Sequence, residues 1–155
     1  MRIIKAILVI TSITFARPGV IGPSTTIDEA NSQVDSAYAH ETGLRDSVTN
    51  FYKSNKNQIN IQYASITENV LMKQYREHFP DSIKTNTSKE DIAYRSMGTW
   101  FPNLMRLQND MGPCVIKSIF IEQLSQRENW NGMMKIFAFL KCANDIASTY
   151  KYDYK

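Results

Sequence analysis

The feature that most constrains the fold of this chain is an apolar seam in its second half. Its six members are spaced 4, 3, 4, 3 and 4 residues apart and are Ala93, Met97, Trp100, Leu104, Leu107 and Met111. This spacing keeps one face of an α-helix apolar and does not fit the two-residue period of a strand. Pro102 lies inside the seam and removes one backbone donor, so we expect a kink or a break near 98–102.

The same helical period recurs in the first half of the chain. Apolar residues keep it over 27–51, after a capping box at 26–29, and Gly43 is a candidate break between two helices. A further helix is expected over 58–78. Pro80 ends it because the residue before a proline is pushed out of the α region. The first half therefore predicts two or three helices.

Three further helices complete the prediction. Ser88 is expected to begin the helix that carries the seam, and the Gly-Pro pair at 112–113 to end it and begin the next. Residues 115–124 have the β-branched content of a strand, but no convincing partner strand exists, so we favour a helix. After a turn over 126–132, apolar residues with helical spacing over 133–147 predict the last helix. The prediction is an all-α bundle of five to six helices with a C-terminal helical hairpin.

The N-terminus has the pattern of a secretory signal peptide. Arg2 and Lys5 give a positive head, 6–15 is a run without a charge, and Thr14 and Ala16 supply small residues that suit cleavage after Ala16. The run is too short to span a bilayer, and no other run is long enough, so we expect export without membrane insertion. A buried N-terminal helix or strand is the alternative.

Cleavage would release a secreted, extracellular protein of one domain. The expected segments are a signal peptide over 1–16, a flexible leader over 17–25, a single helical-bundle domain over 26–150 and a C-terminal tail over 151–155. The whole chain has 18 basic and 15 acidic residues. Because Arg2 and Lys5 leave with the signal, 16 basic residues remain against 15 acidic ones, a net charge of +1. This charge makes no strong field, which argues against a nucleic acid partner.

Cys114 and Cys142 are the two cysteines of the chain, and an oxidising compartment favours their pairing. Each lies 14 residues from Glu128, the middle of the predicted turn. Antiparallel helices rising ~1.5 Å per residue would bring both to the same height, where their Cα atoms could fall within the ~4.4–6.8 Å of a disulfide. We therefore predict a disulfide that staples a helical hairpin, worth roughly 3–4 kcal/mol. Two unpaired, buried cysteines are the alternative.

The chain is poor in the motifs of enzymes. His40 and His78 belong to no metal-binding pattern, and the sequence contains no nucleophile elbow and no glycine-rich phosphate-binding or dinucleotide-binding loop. We therefore expect no catalytic residue, no metal and no cofactor. Asn86, followed by Thr87 and Ser88, is a glycosylation sequon in a predicted loop, and an unused triplet is the alternative.

Two groups of residues admit both a functional and a structural interpretation. Alternating tyrosines near the C-terminus form either a contact surface or a frayed tail. These are Tyr150, Tyr152 and Tyr154. Methionines could line an adaptable ligand pocket, but ordinary core packing is favoured. These are Met97, Met105, Met111, Met133 and Met134.

The C-terminal part of the chain resembles a known family. Residues 116–146 (IKSIFIEQLSQRENWNGMMKIFAFLKCANDI), with Gly132 followed by Lys135 at the start of the last helix, look like the C-terminal hairpin of the class II helical cytokines, the interleukin-ten and interferon-gamma group. Residues 66–70 (ITENV) are similar to the third helix of that group. The resemblance implies a helical-bundle cytokine and a secreted, non-catalytic ligand in immune signalling that binds a pair of cell-surface cytokine receptors.

The resemblance also implies where such receptors would bind. In this group the contacts come from the first helix, the loop after it and the last helix. On this chain these regions suggest Arg45, Asp46, Lys53, Lys56, Lys141 and Asp145. Solvated polar faces are the alternative. Members of the group often form intertwined dimers by exchanging their last two helices, so a homodimer is one option.

Two other functions fit an exported helical protein. One is a carrier of an apolar small molecule, and the other is a recognition or host-modulating protein without a cytokine receptor. A carrier predicts a hollow core of roughly several hundred cubic ångströms lined by methionine and aromatic side chains, whereas a cytokine predicts a filled core.

Overall fold

The computed structural model describes residues 27–128 and 134–155, which contain eight α-helices and no strand. The helices are α1 (Ile27–His40), α2 (Thr42–Ser54), α3 (Lys56–Gln62), α4 (Ala64–His78), α5 (Lys89–Arg95), α6 (Met97–Asp110), α7 (Gly112–Glu128) and α8 (Met134–Ala147). The predicted all-α class is confirmed. The predicted signal peptide, the leader, Thr26 of the capping box and residues 129–133 of the predicted turn lie outside the described residues.

The described residues contain more helices than the predicted five to six because three periodic stretches are each interrupted at one residue. The interruptions fall at Glu41, Tyr63 and Ser96. The first lies two residues before the candidate break at Gly43. Helical periodicity does not reveal such breaks, because one non-helical residue can leave the spacing of the apolar residues unchanged.

The break within the seam lies at Ser96 and not at 98–102. The hydroxyl and the amide of Ser96 both donate to the Ile92 carbonyl and complete the end of α5. The Trp100 amide then donates to the Ser96 carbonyl at 2.7 Å and begins the hydrogen bonding of α6. Pro102 is an exposed residue inside α6, where its missing N–H leaves only the Gly98 carbonyl without a helical partner.

Three predicted helix boundaries are confirmed. α4 ends at His78, two residues before a proline. Ser88 caps α5, since its hydroxyl accepts a hydrogen bond from the Asp91 amide at 3.1 Å. Gly112 begins α7, and this helix includes the ambiguous residues 115–124. Their β-branched side chains are mostly buried, so packing prevails over strand propensity.

The described residues form two compact units. The first contains the described residues up to Lys56 and those of Pro113–Phe139, and the second contains Asn57–Gly112 and Leu140–Lys155. The expectation of a single domain over 26–150 stays a prediction.

The first unit packs α1 and α2 with α7 and the beginning of α8. The Tyr38 ring of α1 meets the Phe120 ring of α7 edge-on, with centroids 5.0 Å apart. The Ser118 hydroxyl of α7 donates to the Lys135 carbonyl of α8 at 3.2 Å. The buried apolar side chains of the first unit are Val34, Ala37, Leu44, Val48, Tyr52, Val115, Ile119, Phe120, Ile121, Leu124, Met134, Ala138 and Phe139.

The second unit is built around Tyr75 of α4. This side chain is fully buried, its ring centroid lies 5.7 Å from that of Trp100 on α6, and its hydroxyl hydrogen-bonds to that of Thr99. The other buried apolar side chains of the unit are Ile59, Val70, Leu71, Ile83, Ile92, Trp100, Leu107, Met111, Ala143, Ala147 and Tyr150.

The predicted pairing of Cys114 with Cys142 is confirmed, since both cysteines are disulfide-bonded. Cys114 is fully buried and Cys142 is half-buried. The disulfide closes the chain segment that contains most of α7 and the first turns of α8. Its contribution to stability comes mainly from restricting the unfolded chain.

Candidate functional site

Four large apolar side chains lie in solvent on α5 and α6. Their exposed fractions are 74% for Tyr94, 60% for Met97, 60% for Phe101 and 64% for Met105. We call these four residues the apolar stripe. Met97, Phe101 and Met105 are four residues apart, which places them on one face of α6 at intervals of about 6 Å along its axis.

The helix that carries most of the apolar stripe is apolar on two faces. The side of α6 that faces the unit buries Trp100, Asn103 and Leu107. The predicted seam placed Met97 on this buried side, and that placement is wrong. At 100° per residue, Met97 lies about a quarter turn from the centre of the buried side, and the polar Asn103 takes a buried position in place of a seam residue.

The methionines singled out in the sequence include both buried and exposed residues. Met111 and Met134 are buried, as core packing predicts, and Met111 sulfur accepts a hydrogen bond from the Thr67 hydroxyl at 3.2 Å. The prediction of core packing is wrong for Met97 and Met105, which are both exposed. Met133 lies outside the described residues.

The part of the stripe on α6 is free of charge, and the charge that precedes it, Arg95, lies 5.7 Å from the Tyr154 ring centroid. The nine residues 97–105 carry no charge. The first charge beyond them is Arg106, whose guanidinium lies 3.5 Å from an Asp110 carboxylate oxygen and 4.5 Å from the Tyr150 ring centroid. The nearest charge that follows the stripe is therefore paired within the unit.

The apolar stripe consists of residue types that are common at the cores of protein interfaces. Tyrosine, phenylalanine and methionine are enriched at the cores of protein interfaces, where charged residues are depleted. Side chains of this size carry ~150–250 Å² each, so at these exposed fractions the four offer on the order of 500 Å² to solvent. A patch of this size on a monomer is often functional.

The C-terminal tyrosines alternate with exposed charged residues. Tyr150 is buried, Tyr152 and Tyr154 are half-buried, and the intervening Lys151 and Asp153 are exposed. This two-residue alternation is that of an extended segment with one face on the protein. The favoured interpretation of a frayed tail is therefore wrong for this segment, because its tyrosines pack on the second unit.

Backbone hydrogen bonds hold this segment on the second unit. The Asn103 side-chain amide donates to the Lys151 carbonyl at 2.9 Å, and the Asp153 amide donates to the Thr99 hydroxyl at 3.2 Å. The Lys155 amide donates to the Arg95 carbonyl at 3.0 Å. At 100° per residue, Thr99 and Asn103 lie across α6 from the stripe, so the tail covers one side of the helix and leaves the stripe exposed.

The tyrosine rings complete the attachment of the tail. The Tyr152 ring lies edge-on to Tyr75 at 4.8 Å and 4.4 Å from the His78 ring. The Tyr150 hydroxyl donates to Asp110 at 2.7 Å. Burial raises the pKa of both Tyr150 and Tyr152, and the bond to Asp110 raises the pKa of Tyr150 further.

Each histidine hydrogen-bonds to a backbone carbonyl four residues earlier in its own helix. His40 Nδ1 hydrogen-bonds to the Ser36 carbonyl at 2.7 Å, and His78 Nδ1 to the Gln74 carbonyl at 2.8 Å. Each ring is thus tied to its own helix. Among residues 27–128 and 134–155, no group of three or more histidine, cysteine or acidic side chains could hold a metal ion.

The residues suggested as receptor contacts lie on α2, α3 and α8. Asp46 and Lys53 are exposed on α2, and Lys56 is the exposed first residue of α3. Lys141 and Asp145 are exposed on α8 and form an ion pair at 3.5 Å. The structure brings these last two together, and the contact of all of them with a receptor stays a prediction.

Arg45, the remaining suggested contact, is half-buried and serves the first unit. One guanidinium nitrogen donates to the Tyr38 carbonyl at 2.8 Å, and the guanidinium carbon lies 5.5 Å from the Tyr38 ring centroid. Burial raises the pKa of the Tyr38 hydroxyl, and Arg45 opposes this rise. The contacts of Arg45 show a role in joining α1 to α2.

An open groove of about 520 Å³ follows the outer face of α4. It is lined by Ile61, Ala64, Ser65, Glu68, Asn69, Met72 and Lys89. Lys89 Nζ lies 2.7 Å from a Glu68 carboxylate oxygen, and this bond raises the pKa of Lys89. The groove differs from the hollow predicted for a carrier, because its lining contains one methionine, no aromatic residue and an ion pair.

Asn86 of the predicted glycosylation sequon is exposed between α4 and α5. Arg76 braces this loop, since its guanidinium donates to the Lys84 carbonyl and, at 2.6 Å, to the Thr87 carbonyl. Ser88, the third residue of the sequon, also caps α5. Glycosylation at Asn86 stays a prediction.

Two features of the second unit are not evident from the amino-acid sequence. The sequence contains the four-residue spacing of 97, 101 and 105, but this face shares Met97 with the seam. Periodicity predicts that the face with more apolar residues is the buried one, so it does not indicate a second, exposed apolar face. The inward tyrosines of the tail alternate with charges, but five residues without a partner strand do not reveal what they pack on.

None of the helices within the described ranges combines the length and the apolar character that crossing a bilayer requires. No family model, curated protein or solved structure matches the chain.

Proposed function

We propose that this chain is a secreted, non-catalytic helical ligand that acts by binding cell-surface receptors, in the manner of a helical cytokine. The observation that supports this proposal is the apolar stripe. Four large side chains held in water on a short stretch of helix serve association with another protein better than they serve the fold.

Several polar groups of the described residues take part in internal hydrogen bonds. Both histidines bond to carbonyls of their own helices, and the buried Asn103 and Gln74 bond to the Lys151 carbonyl and to the Asn144 side chain. These groups contribute to packing. The exposed polar faces of α2 and α8 are the surfaces that we assign to the receptor.

Binding to cells tests the proposal directly. Labelled secreted chain is added to cells of the source organism from nanomolar to micromolar concentrations, with unlabelled chain as competitor. We expect saturable binding that Phe101→Glu weakens roughly 30-fold or more, because the added charge disrupts the protein association that the stripe makes. Absence of saturable binding to every cell type tested would contradict the proposal.

Ile61→Glu is the matched control. Ile61 is a large apolar residue of the same unit, on a helix and 74% exposed, but it lies outside the stripe. We expect its binding curve to overlay that of the unchanged chain. Equal losses in both variants would show a general effect of the added charge and would remove the support that the stripe gives.

The carrier function is distinguished by native mass spectrometry of the secreted chain. If the chain is a receptor ligand, we expect its mass to equal that of the polypeptide with its disulfide and any glycan, with no further molecule bound. A co-purifying lipid or other apolar molecule bound in stoichiometric amount would favour the carrier and contradict the proposed receptor ligand.

A further inference from the structure

The apolar stripe has the geometry of a self-complementary surface. Met97 and Met105 lie four residues to either side of Phe101, so the exposed residues of α6 have the same order, Met-Phe-Met, from either end. A two-fold axis through Phe101 therefore sets Phe101 against its own copy and each Met97 against the other copy's Met105. This is the arrangement that an isologous interface requires, since the same patch serves both subunits.

The charge of the face permits such a pairing. Any charged residue near a two-fold axis meets a charge of its own sign from the second copy, which is unfavourable in a desolvated contact. The nine residues 97–105 carry no charge. Gly98 adds an opening on the same side, because a Cβ placed there would meet nothing within 4 Å. A second helix can approach closely at this point.

The area of the stripe is sufficient for two copies. With on the order of 500 Å² of apolar surface on each copy, a paired stripe removes about 1,000 Å² from water. This matches the lower limit for a specific protein interface. Tyr94 extends the row beyond Met97, so a tyrosine lies at each end of the paired surface.

We propose that the apolar stripe is a homodimer interface in which α6 packs antiparallel on α6 of a second copy, with Phe101 at the two-fold axis. This rests on the proposed function in one respect, that the stripe is a protein-binding surface. The dimer presents the receptor-facing residues of α2 and α8 twice. Two linked contacts with a pair of receptors bind more tightly than one, without any new contact.

The first test is the oligomeric state of the secreted chain by sedimentation equilibrium. We expect a concentration-dependent dimer that Phe101→Glu weakens roughly 30-fold or more, whereas Ile61→Glu leaves it unchanged. Phe101 is exposed, so far-UV circular dichroism should show the same helix content in each variant. A monomer at every concentration, or a dimer that survives Phe101→Glu, as one formed by helix exchange would, overturns the inference.

The second test uses cysteine at the two-fold axis. In Phe101→Cys, the two introduced thiols face each other, and we expect a covalent dimer on a non-reducing gel. Ile61→Cys should stay monomeric under the same oxidation. Equal cross-linking of both variants, or of neither, overturns the inference.

Cell binding separates this inference from the proposed function. The Phe101→Cys covalent dimer should bind cells as the unchanged chain does, because the stripe is turned to the second copy and not to the receptor. A covalent dimer that fails to bind while the unchanged chain binds overturns the inference alone. A chain that dimerises through the stripe but binds no cell overturns the proposed function and leaves the dimer standing.

Discussion

At the scale of the residue, Tyr152 shows how one side chain fixes a chain terminus. Its ring packs on Tyr75 and His78, and its hydroxyl donates to the Ala147 carbonyl. Edge-on aromatic pairs at these distances add ~0.5–1.5 kcal/mol beyond the burial of their area. Tyr75 lies at the centre of the second unit, so the tail is attached directly to the core.

Replacing Tyr152 should therefore destabilise the second unit measurably. We expect Tyr152→Ala to lower the free energy of unfolding by about 1–3 kcal/mol, because both ring contacts are lost. Tyr152→Phe keeps the rings and loses only the hydrogen bond, at a cost of about 1 kcal/mol. Urea titration followed by circular dichroism measures both, and an unchanged midpoint for Tyr152→Ala would show that the tail is not anchored by this ring.

At the scale of the element, α6 serves two surfaces at once. Trp100 and Leu107 pack into the second unit, whereas Phe101 and Met105 face solvent. Amphipathic helices of globular proteins usually show one apolar face and one charged face. A helix with apolar residues on both faces is typical of an element that is buried again on association. Pro102 lies inside this helix and weakens its hydrogen bonding.

We expect Pro102→Ala to stabilise the chain by about 1–3 kcal/mol. The alanine amide can donate to the Gly98 carbonyl, and no buried contact is lost because Pro102 is exposed. Thermal unfolding at a fixed, low protein concentration checks this, with Gly98→Ala as a control that changes propensity without adding a donor. A lower melting temperature for Pro102→Ala would mean that α6 requires the proline for its path.

At the scale of the whole molecule, the disulfide and the buried tyrosines set the conditions under which the fold persists. Cys114 and Cys142 are joined across a chain segment that includes most of α7. The pKa values of Tyr38, Tyr150 and Tyr152 are all raised above the ordinary value, mainly by burial.

Removal of the disulfide should cost more stability than any exposed substitution. The double variant Cys114→Ala with Cys142→Ala is expected to unfold with a free energy lower by roughly 3–4 kcal/mol, because the unfolded chain regains the entropy of the open loop. Chemical denaturation of the oxidised chain and the double variant gives the difference. Coincident curves would contradict a stabilising role for the bond.

Alkaline pH should destabilise the chain through its tyrosines. Their pKa is raised in the folded chain above the ordinary value of 10.0, so the unfolded chain loses its protons first. Stability is fully present below about pH 10 and is lost as pH rises beyond it. Urea midpoints measured from neutral pH upward should fall above this value. Tyr150→Phe with Tyr152→Phe should flatten the fall, and an equally steep fall would exclude these two groups as its cause.

The amino-acid sequence was enough to predict the helical class, the end of α4, the cap at Ser88, the helical state of 115–124 and the pairing of the cysteines. These follow from periodicity, local hydrogen bonding and spacing, which a few neighbouring residues contain. Long-range packing accounts for three other outcomes: Ser96 divides the seam, Met97, Phe101 and Met105 face solvent while Asn103 is buried, and the tail packs on Tyr75. Those outcomes depend on which face of a two-faced helix meets residues distant in the chain, and local sequence does not contain that choice.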